Sequence, residues 1–249
     1  MKSIAIIPAR FASSRFPGKP LADMGGKPMI QRVYEQACKV FHHVVVATDD
    51  ERISSAVINF GGQAVMTSAA HKSGTERCAE ALGHAEKLYS SVFDIIVNIQ
   101  GDEPFIQPAQ LTLIESCFSD HRIQIATLAR PAHNIEEIFD PHKPKVVLNK
   151  NNEAIYFSRS AIPYLRETQQ DEWHNHHSFL LHIGLYAFRR EILSDIVKLE
   201  TTPLEKAESL EQLRWIENGY RILVKLTDYE SFGIDTPEDL AKAVKMLGR

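Results

Sequence analysis

IIPARFASSRFPGKP, residues 6–20, decides the reading of this chain. It begins as an apolar run of the kind that forms a buried strand, breaks at Pro8, and then sets Arg10, Arg15 and Lys19 among Ser, Pro and Gly. Three cations on such a loop at a strand end suit a polyphosphate, because backbone N–H groups cradle oxygens while guanidinium and ammonium groups neutralise charge. Composition alone leaves a solvated basic loop equally open. The loop carries neither GxxxxGK[ST] nor GxGxxG, so ATPase and dehydrogenase readings lose their main support.

Outward from this loop, strand candidates at 3–8, 43–48, 63–67, 93–99 and 123–129 alternate with stretches of helical period at 28–40, 50–62, 74–88 and 108–118. Met29, Ile30, Val33 and Ala37 share one face of the first helix. Asp49 and Asp50 precede the second as caps, and Gly61-Gly62 ends it. Near-continuous Val/Ile strands alternating with helices predict an α/β fold: a three-layer, Rossmann-like arrangement with a mostly parallel sheet. Ligands of such sheets bind beyond the carboxyl ends of the strands, which puts the loops after Ile7, Thr48 and Ile99 on one rim.

The rhythm changes near Pro141. Short strand candidates at 145–149, 154–159 and 179–189, then helices at 191–199 and 207–219, predict a smaller, partly antiparallel lobe inserted over about 141–220. The chain returns with a strand at 221–226 and a helix at 236–247, for which Thr236, Pro237 and Asp239 form a start signal.

The 249 residues are 44% hydrophobic and 24% charged, enough for one large domain with a subdomain. No apolar run approaches the roughly 20 residues of a membrane span, and the N-terminal run is too short for a signal peptide, so a cytoplasmic protein without a membrane partner is expected. Cys38, Cys78 and Cys117 form no CxxC pair and are read as reduced. A formal net charge of −4 argues against nucleic acid as a partner.

PAR…SR.PGKPL…GKPMI, together with KSGTER at 72–77, NIQGDEP at 98–104, YFSR at 156–159, LHIGLYAF at 181–188, LEQLR at 210–214 and GIDTPEDL at 233–240, resembles the CTP-dependent sugar-activating nucleotidyltransferases. More narrowly it resembles the CMP-KDO synthetase family, the 3-deoxy-manno-octulosonate cytidylyltransferases, with the blocks in order along the whole chain. The resemblance implies an enzyme that joins CTP to an acidic eight-carbon sugar, releases pyrophosphate, requires Mg²⁺, acts as a homodimer and serves lipopolysaccharide synthesis. Substrate alternatives are an amino-substituted octulosonate or a sialic acid; a non-catalytic nucleotide-sugar sensor is the alternative from another class.

Residue by residue, the resemblance implies CTP contacts from Ala9, Arg10, Arg15, Lys19, Ser73, Thr75, Arg77 and Gln100. Ser73 or Thr75 could equally open a helix, and both roles are compatible, since a helix N-terminus offers N–H donors. Asp102, in a turn after a strand, and Asp235, before the last helix, are implied as the Mg²⁺ ligands. Local sequence leaves a turn role and a cap role open for them, with Glu103 and Glu238 as neighbouring alternatives. Mg²⁺ is usually held by one or two carboxylates plus phosphate oxygens and water. Arg10, Arg15, Lys19, Asp102 and Asp235 are the expected catalytic set. His182, Tyr186, Glu211 and Gln212 match the family's sugar positions, with Arg159 as partner for the sugar carboxylate. A lone His in LLHIGLY also reads as a core residue, and Glu211 and Gln212 also read as a solvated helix face. His174, His176 and His177 lack the remaining ligands of a closed metal site and are read as a loop. The apolar segment 179–188 is where a dimer interface is expected, with a core strand as the alternative.

Overall fold

The computed structural model describes residues 1–12, 16–230 and 232–247. Arg15, expected on the nucleotide phosphates, lies outside the described residues. The chain divides into two compact units, one of Met1–Glu115 with Ser231–Arg249 and the other of Ser116–Glu230.

In the first unit, β1 (Ser3–Ala9), α1 (Met29–Ala37), β2 (Val44–Thr48), α2 (Glu51–Asn59), β3 (Ala64–Met66), α3 (Gly74–Tyr89), β4 (Ile95–Asn98) and α4 (Pro108–Ser116) follow in chain order. The strands lie in the order β3-β2-β1-β4 and every pairing among them is parallel. Ile4, Ala5, Ile6 and Ile7 of β1 and Val45, Val46 and Ala47 of β2 have no exposed surface. Each such Ile or Val gains about 1.5–3 kcal/mol from burial, which is why these runs lack the alternation of a half-exposed strand. Met29, Ile30, Val33 and Ala37 are the buried face of α1, as the periodicity predicts. Asp50 alone caps α2, accepting from Arg52 N, while Asp49, also read as a cap, turns elsewhere.

The second unit contains β5 (Ile125–Pro131), α5 (Ile135–Phe139), β6 (Lys145–Leu148), β7 (Ala154–Ser158), α6 (Trp173–His176), β8 (Leu180–Arg189), α7 (Arg190–Ile196), α8 (Pro203–Glu208), α9 (Glu211–Glu217) and β9 (Ile222–Leu226). β5 runs antiparallel to β8 and parallel to β9, and β6 runs antiparallel to β7 and β8. This unit is wider than the 141–220 lobe read from the change of rhythm. The strands near 123–129 and 221–226 pair with each other, so both belong here rather than with the parallel strands of the first unit.

Two further differences have clear causes. The single helix expected over 207–219 is two, because Ser209 adopts a left-handed conformation at φ 52° and ends α8. The apolar segment expected at a dimer interface is β8, paired on both sides. Its Leu181, Ile183, Leu185, Ala187 and Phe188 are buried in the single chain, which is the core-strand alternative.

The last helix, α10 (Pro237–Leu247), returns to the first unit. Ile234 and Ala243 pack with Met24 and Met29 in a fully buried cluster flanked by Phe16, Phe105, Phe232 and Leu240. That cluster ties the segment bearing Asp235 to the chain that follows β1.

Candidate active site

Where β1 ends, the chain borders a cavity of about 250 Å³, lined by Arg10, Lys19, Ser73, Arg77, Gln100, Asp102 and Asp235 among others. Sequence separations of more than 200 residues close here through backbone chemistry. Gly101 lets the turn after β4 press on β1, since a Cβ at that position would sit 2.9 Å from the Pro8 carbonyl oxygen. The Ile234 amide then donates to the Asp102 carbonyl at 2.9 Å, bringing Asp235 alongside Asp102.

Both carboxylates meet Lys19. Its ammonium lies 2.6 Å from Asp102 Oδ2 and 3.3 Å from Asp235 Oδ1, with the lysine side chain 13% exposed and the aspartates 33% and 48%. The cap role for Asp235 falls away, because Thr236 and Asp239 perform it: Asp239 N donates to Thr236 Oγ1 and the Asp239 carboxylate accepts from Thr236 N. Two carboxylates sharing one ammonium leave a net negative pair of hard oxygen donors, the set that suits Mg²⁺ when phosphate oxygens and water complete its shell. Asp102 and Asp235 therefore fit a magnesium ion. Of the alternatives, Glu103 is buried and Glu238 is exposed.

The opposite wall is the start of α3. Ser73 is its N-cap, accepting from Glu76 N at 3.2 Å, and the Glu76 carboxylate reaches back to Lys72 N at 2.7 Å, so the helix N-terminus faces the cavity with its geometry fixed. Thr75 is buried beneath this turn and is not one of the cavity's lining residues. Arg77 does line it, yet its guanidinium is anchored from behind, donating to Thr67 Oγ1 at 2.6 Å and Asp49 Oδ2 at 3.1 Å. His71, also at the cavity, is gripped by Glu80, whose carboxyl is held below its usual range chiefly by the Ser68 amide, with the His71 contact adding to it. The sequence marks Asp49 only as a helix cap and gives no site role to Thr67 or Glu80, because nothing local pairs a residue with a partner 9 to 28 positions away.

The sugar positions lie in the second unit. A register shift in the β5–β8 pairing after Thr127 sets Thr127 opposite Tyr186 and Leu128 opposite Ile183. Thr127 Oγ1 serves the carbonyls this exposes, at 2.8 Å to Leu185 and 3.2 Å to Ile183. With the hydroxyl proton so used, His182 Nε2, 3.1 Å away, donates to Thr127 Oγ1. Burial lowers the His182 pKa to about 3, so the imidazole is neutral and its Nδ1 is an acceptor. The Tyr186 ring lies 5.3 Å from that of His182 and edge-on to Trp215 at 5.1 Å. Burial, reinforced by Glu211, pushes the Tyr186 phenol well above its ordinary value.

Gln212 is buried on α9, not on a solvated face, and its Nε2 has no hydrogen-bond partner among the described residues; the same holds for Trp215 Nε1 one turn later. Buried polar groups are ordinarily hydrogen-bonded, so these donors are open to a polar ligand or water. Glu211 lies 3.4 Å from Arg214 Nη2. Arg159, expected on the sugar carboxylate, instead donates to the carbonyls of Pro141, Glu208 and Ser209, stapling the end of α8. His174, His176 and His177 follow buried Trp173, which packs with Ile138 and Phe179. Among the described residues no group of three or more His, Cys, Asp or Glu is arranged to hold a metal ion.

Comparison with known proteins agrees with this layout. A family model described as cytidylyltransferase matches residues 4–222. A 3-deoxy-manno-octulosonate cytidylyltransferase of Parabacteroides distasonis is 59% identical over 99% of this chain and 98% of its own length. One of Bacteroides thetaiotaomicron is 55% identical over 99% and 98%. A solved structure of CMP:2-keto-3-deoxy-manno-octonic acid synthetase complexed with CTP superposes with a TM-score of 0.90 at 40% identity, covering 100% of this chain and 99% of the other.

Proposed function

Because this chain belongs to the cytidylyltransferase family, we propose that it transfers CMP from CTP to 3-deoxy-manno-octulosonate, giving CMP-octulosonate and pyrophosphate. The observation that carries the reading is the convergence of Asp102 and Asp235 on Lys19, beside the end of β1 and the N-terminus of α3. In the reaction, the anomeric hydroxyl oxygen bonds to the α-phosphorus as the bond from that phosphorus to the pyrophosphate oxygen breaks. Such a step demands positioning and charge neutralisation more than covalent participation by the protein.

The residues divide that work. Ser73, Gly74 and the first turn of α3 present N–H groups toward the nucleotide, and Arg77, locked by Asp49 and Thr67, holds a fixed cation at the same wall. Arg10 supplies positive charge at the α-phosphate. Lys19 neutralises the carboxylate pair and would supply positive charge beside the phosphates. Asp102 and Asp235 would hold magnesium, which as a Lewis acid lowers the pKa of the attacking hydroxyl. Neutral His182 accepts a hydrogen bond from a sugar hydroxyl at Nδ1, while Tyr186 and the free amide of Gln212 donate. Family resemblance supports a cytoplasmic homodimer that feeds lipopolysaccharide synthesis, and no helix of the described residues is long and apolar enough to cross a membrane.

Replacing Asp235 by Ala tests the assignment. The metal's charge stabilisation amounts to several kcal/mol, so kcat falls on the order of 10²- to 10³-fold, with CTP binding reduced less. Full activity in Asp235→Ala removes this residue from the mechanism.

A further inference from the structure

Phe11 lies in the stretch 6–20, between Arg10 and Lys19, and is itself neither cation nor cavity lining. Its surroundings are specific. The guanidinium carbon of Arg52, from the first turn of α2, stands 3.3 Å from the centre of the Phe11 ring. That guanidinium is aimed by Asp50, which accepts from Nε at 2.9 Å and from Nη2 at 2.6 Å, and Asp50 is itself fixed as the N-cap of α2. The Phe11 ring also lies against Gly18, where a Cβ would come within 3.1 Å of Cε2 and Cζ. The Phe11 carbonyl accepts from the Gly18 amide at 2.9 Å, and Gly18 takes a φ of 71° to make that closure.

Residues 11 and 18 therefore form a neck. Arg10 stands immediately before it, Lys19 immediately after it, and the neck is braced on α2 through one stacked side chain.

We propose that Arg52 is a positioning residue for CTP, acting through the Phe11 ring to keep Phe11 and Gly18 in contact and so to hold Arg10 and Lys19 at the cavity. Arg52 is unsuited to bind phosphate itself: it is not one of the cavity's lining residues, and its charge is matched by the Asp50 carboxylate along two hydrogen bonds. A planar guanidinium over an aromatic face at an exposed site favours the stacked state by about two- to fivefold. That factor passes into the fraction of protein competent to bind CTP, because affinity scales with the population of the competent conformer. The bond-making geometry inside the cavity does not involve Arg52, so kcat is spared.

The inference rests on CTP being the substrate, and a double-mutant cycle on the full chain separates the two. Steady-state KM for CTP and kcat are measured, at saturating 3-deoxy-manno-octulosonate and Mg²⁺, for wild type, Arg52→Ala, Phe11→Leu and the double variant. The expected result is a two- to fivefold rise in KM for CTP in Arg52→Ala with kcat within twofold of wild type, and no further rise on adding Arg52→Ala to Phe11→Leu. An unchanged KM in Arg52→Ala overturns the inference. So does a double variant whose rise is the product of the two single rises, since Arg52 would then act on phosphate without Phe11. A wild type inert toward CTP overturns the substrate reading as well, and is distinguished from these outcomes by its own lack of turnover.

Discussion

Asp49→Asn probes how far the nucleotide wall depends on a single buried ion pair. Arg77 is 5% exposed at its side chain and Asp49 17%, with Nη2 and Oδ2 3.1 Å apart. At that distance the gross attraction is ~5 kcal/mol for an effective dielectric of 20. Breaking a buried pair by removing one partner costs about 3–5 kcal/mol, because the remaining charge stays desolvated. Asparagine keeps the shape and one acceptor, and Asp49 is partly solvated, so the lower end applies, about 3 kcal/mol. In a chain of this size each kcal/mol shifts the melting temperature by about 2–4 °C, giving a fall of about 6–12 °C. Thermal denaturation monitored by circular dichroism measures it, with Asp50→Asn as the control. Asp50 pairs with Arg52, whose side chain is 61% exposed, and Asn is an equally good N-cap, so the control loses less than about 1 kcal/mol. An Asp49→Asn variant melting within 2 °C of wild type refutes the argument that Asp49 anchors Arg77.

Other positions give sharp expectations. Lys145 is fully buried, donating among the described residues to the carbonyls of Asp140 and Arg159, and burial lowers its pKa to about 8. Between pH 8 and 10.5 the unfolded chain therefore binds the proton that the folded chain has lost, and stability rises with pH. In urea titrations from pH 7.5 to 10.5 the wild type gains about 3 kcal/mol relative to Lys145→Met, and parallel curves contradict the assignment. His182 is neutral throughout the working range, so His182→Gln raises KM for the sugar acid and leaves the kcat/KM profile between pH 5 and 7 unmoved. A lost acidic limb would mean that His182 titrates there. Gly101→Ala drives a Cβ onto the Pro8 carbonyl and displaces Asp102, lowering kcat/KM by roughly tenfold or more. Gly83→Ala, where a Cβ meets nothing within 4 Å on an exposed part of α3, raises the melting temperature by about 2–4 °C, as expected for a stabilisation of up to about 1 kcal/mol.

The legible part of the fold was what a short window contains. β1, β2 and β4 announce themselves because a strand covered on both faces is apolar at successive positions, and α1 does so because its buried side repeats every three to four residues. The break between α8 and α9 did not, because Ser209 in a left-handed conformation is held by Arg159, fifty residues earlier. The same limit governed the site. Arg10, Lys19, Asp102 and Asp235 were visible as residue types at strand ends or through family resemblance. The bond from Lys19 to both aspartates was not, since it depends on the Ile234–Asp102 backbone contact and on the Met24–Met29–Ile234–Ala243 cluster. Asp49 looked like a second cap, and only the observed Asp50–Arg52 contact assigns the cap to its neighbour. Arg159 had the charge for a carboxylate but spends its donors on backbone carbonyls.

The most direct test of the central claim is pyrophosphate release by the purified chain with CTP and Mg²⁺, run in parallel with 3-deoxy-manno-octulosonate and with a sialic acid. Release with the octulosonate and not with the sialic acid is the predicted result. Release with neither acid contradicts the assignment and favours a nucleotide-sugar binding protein without turnover.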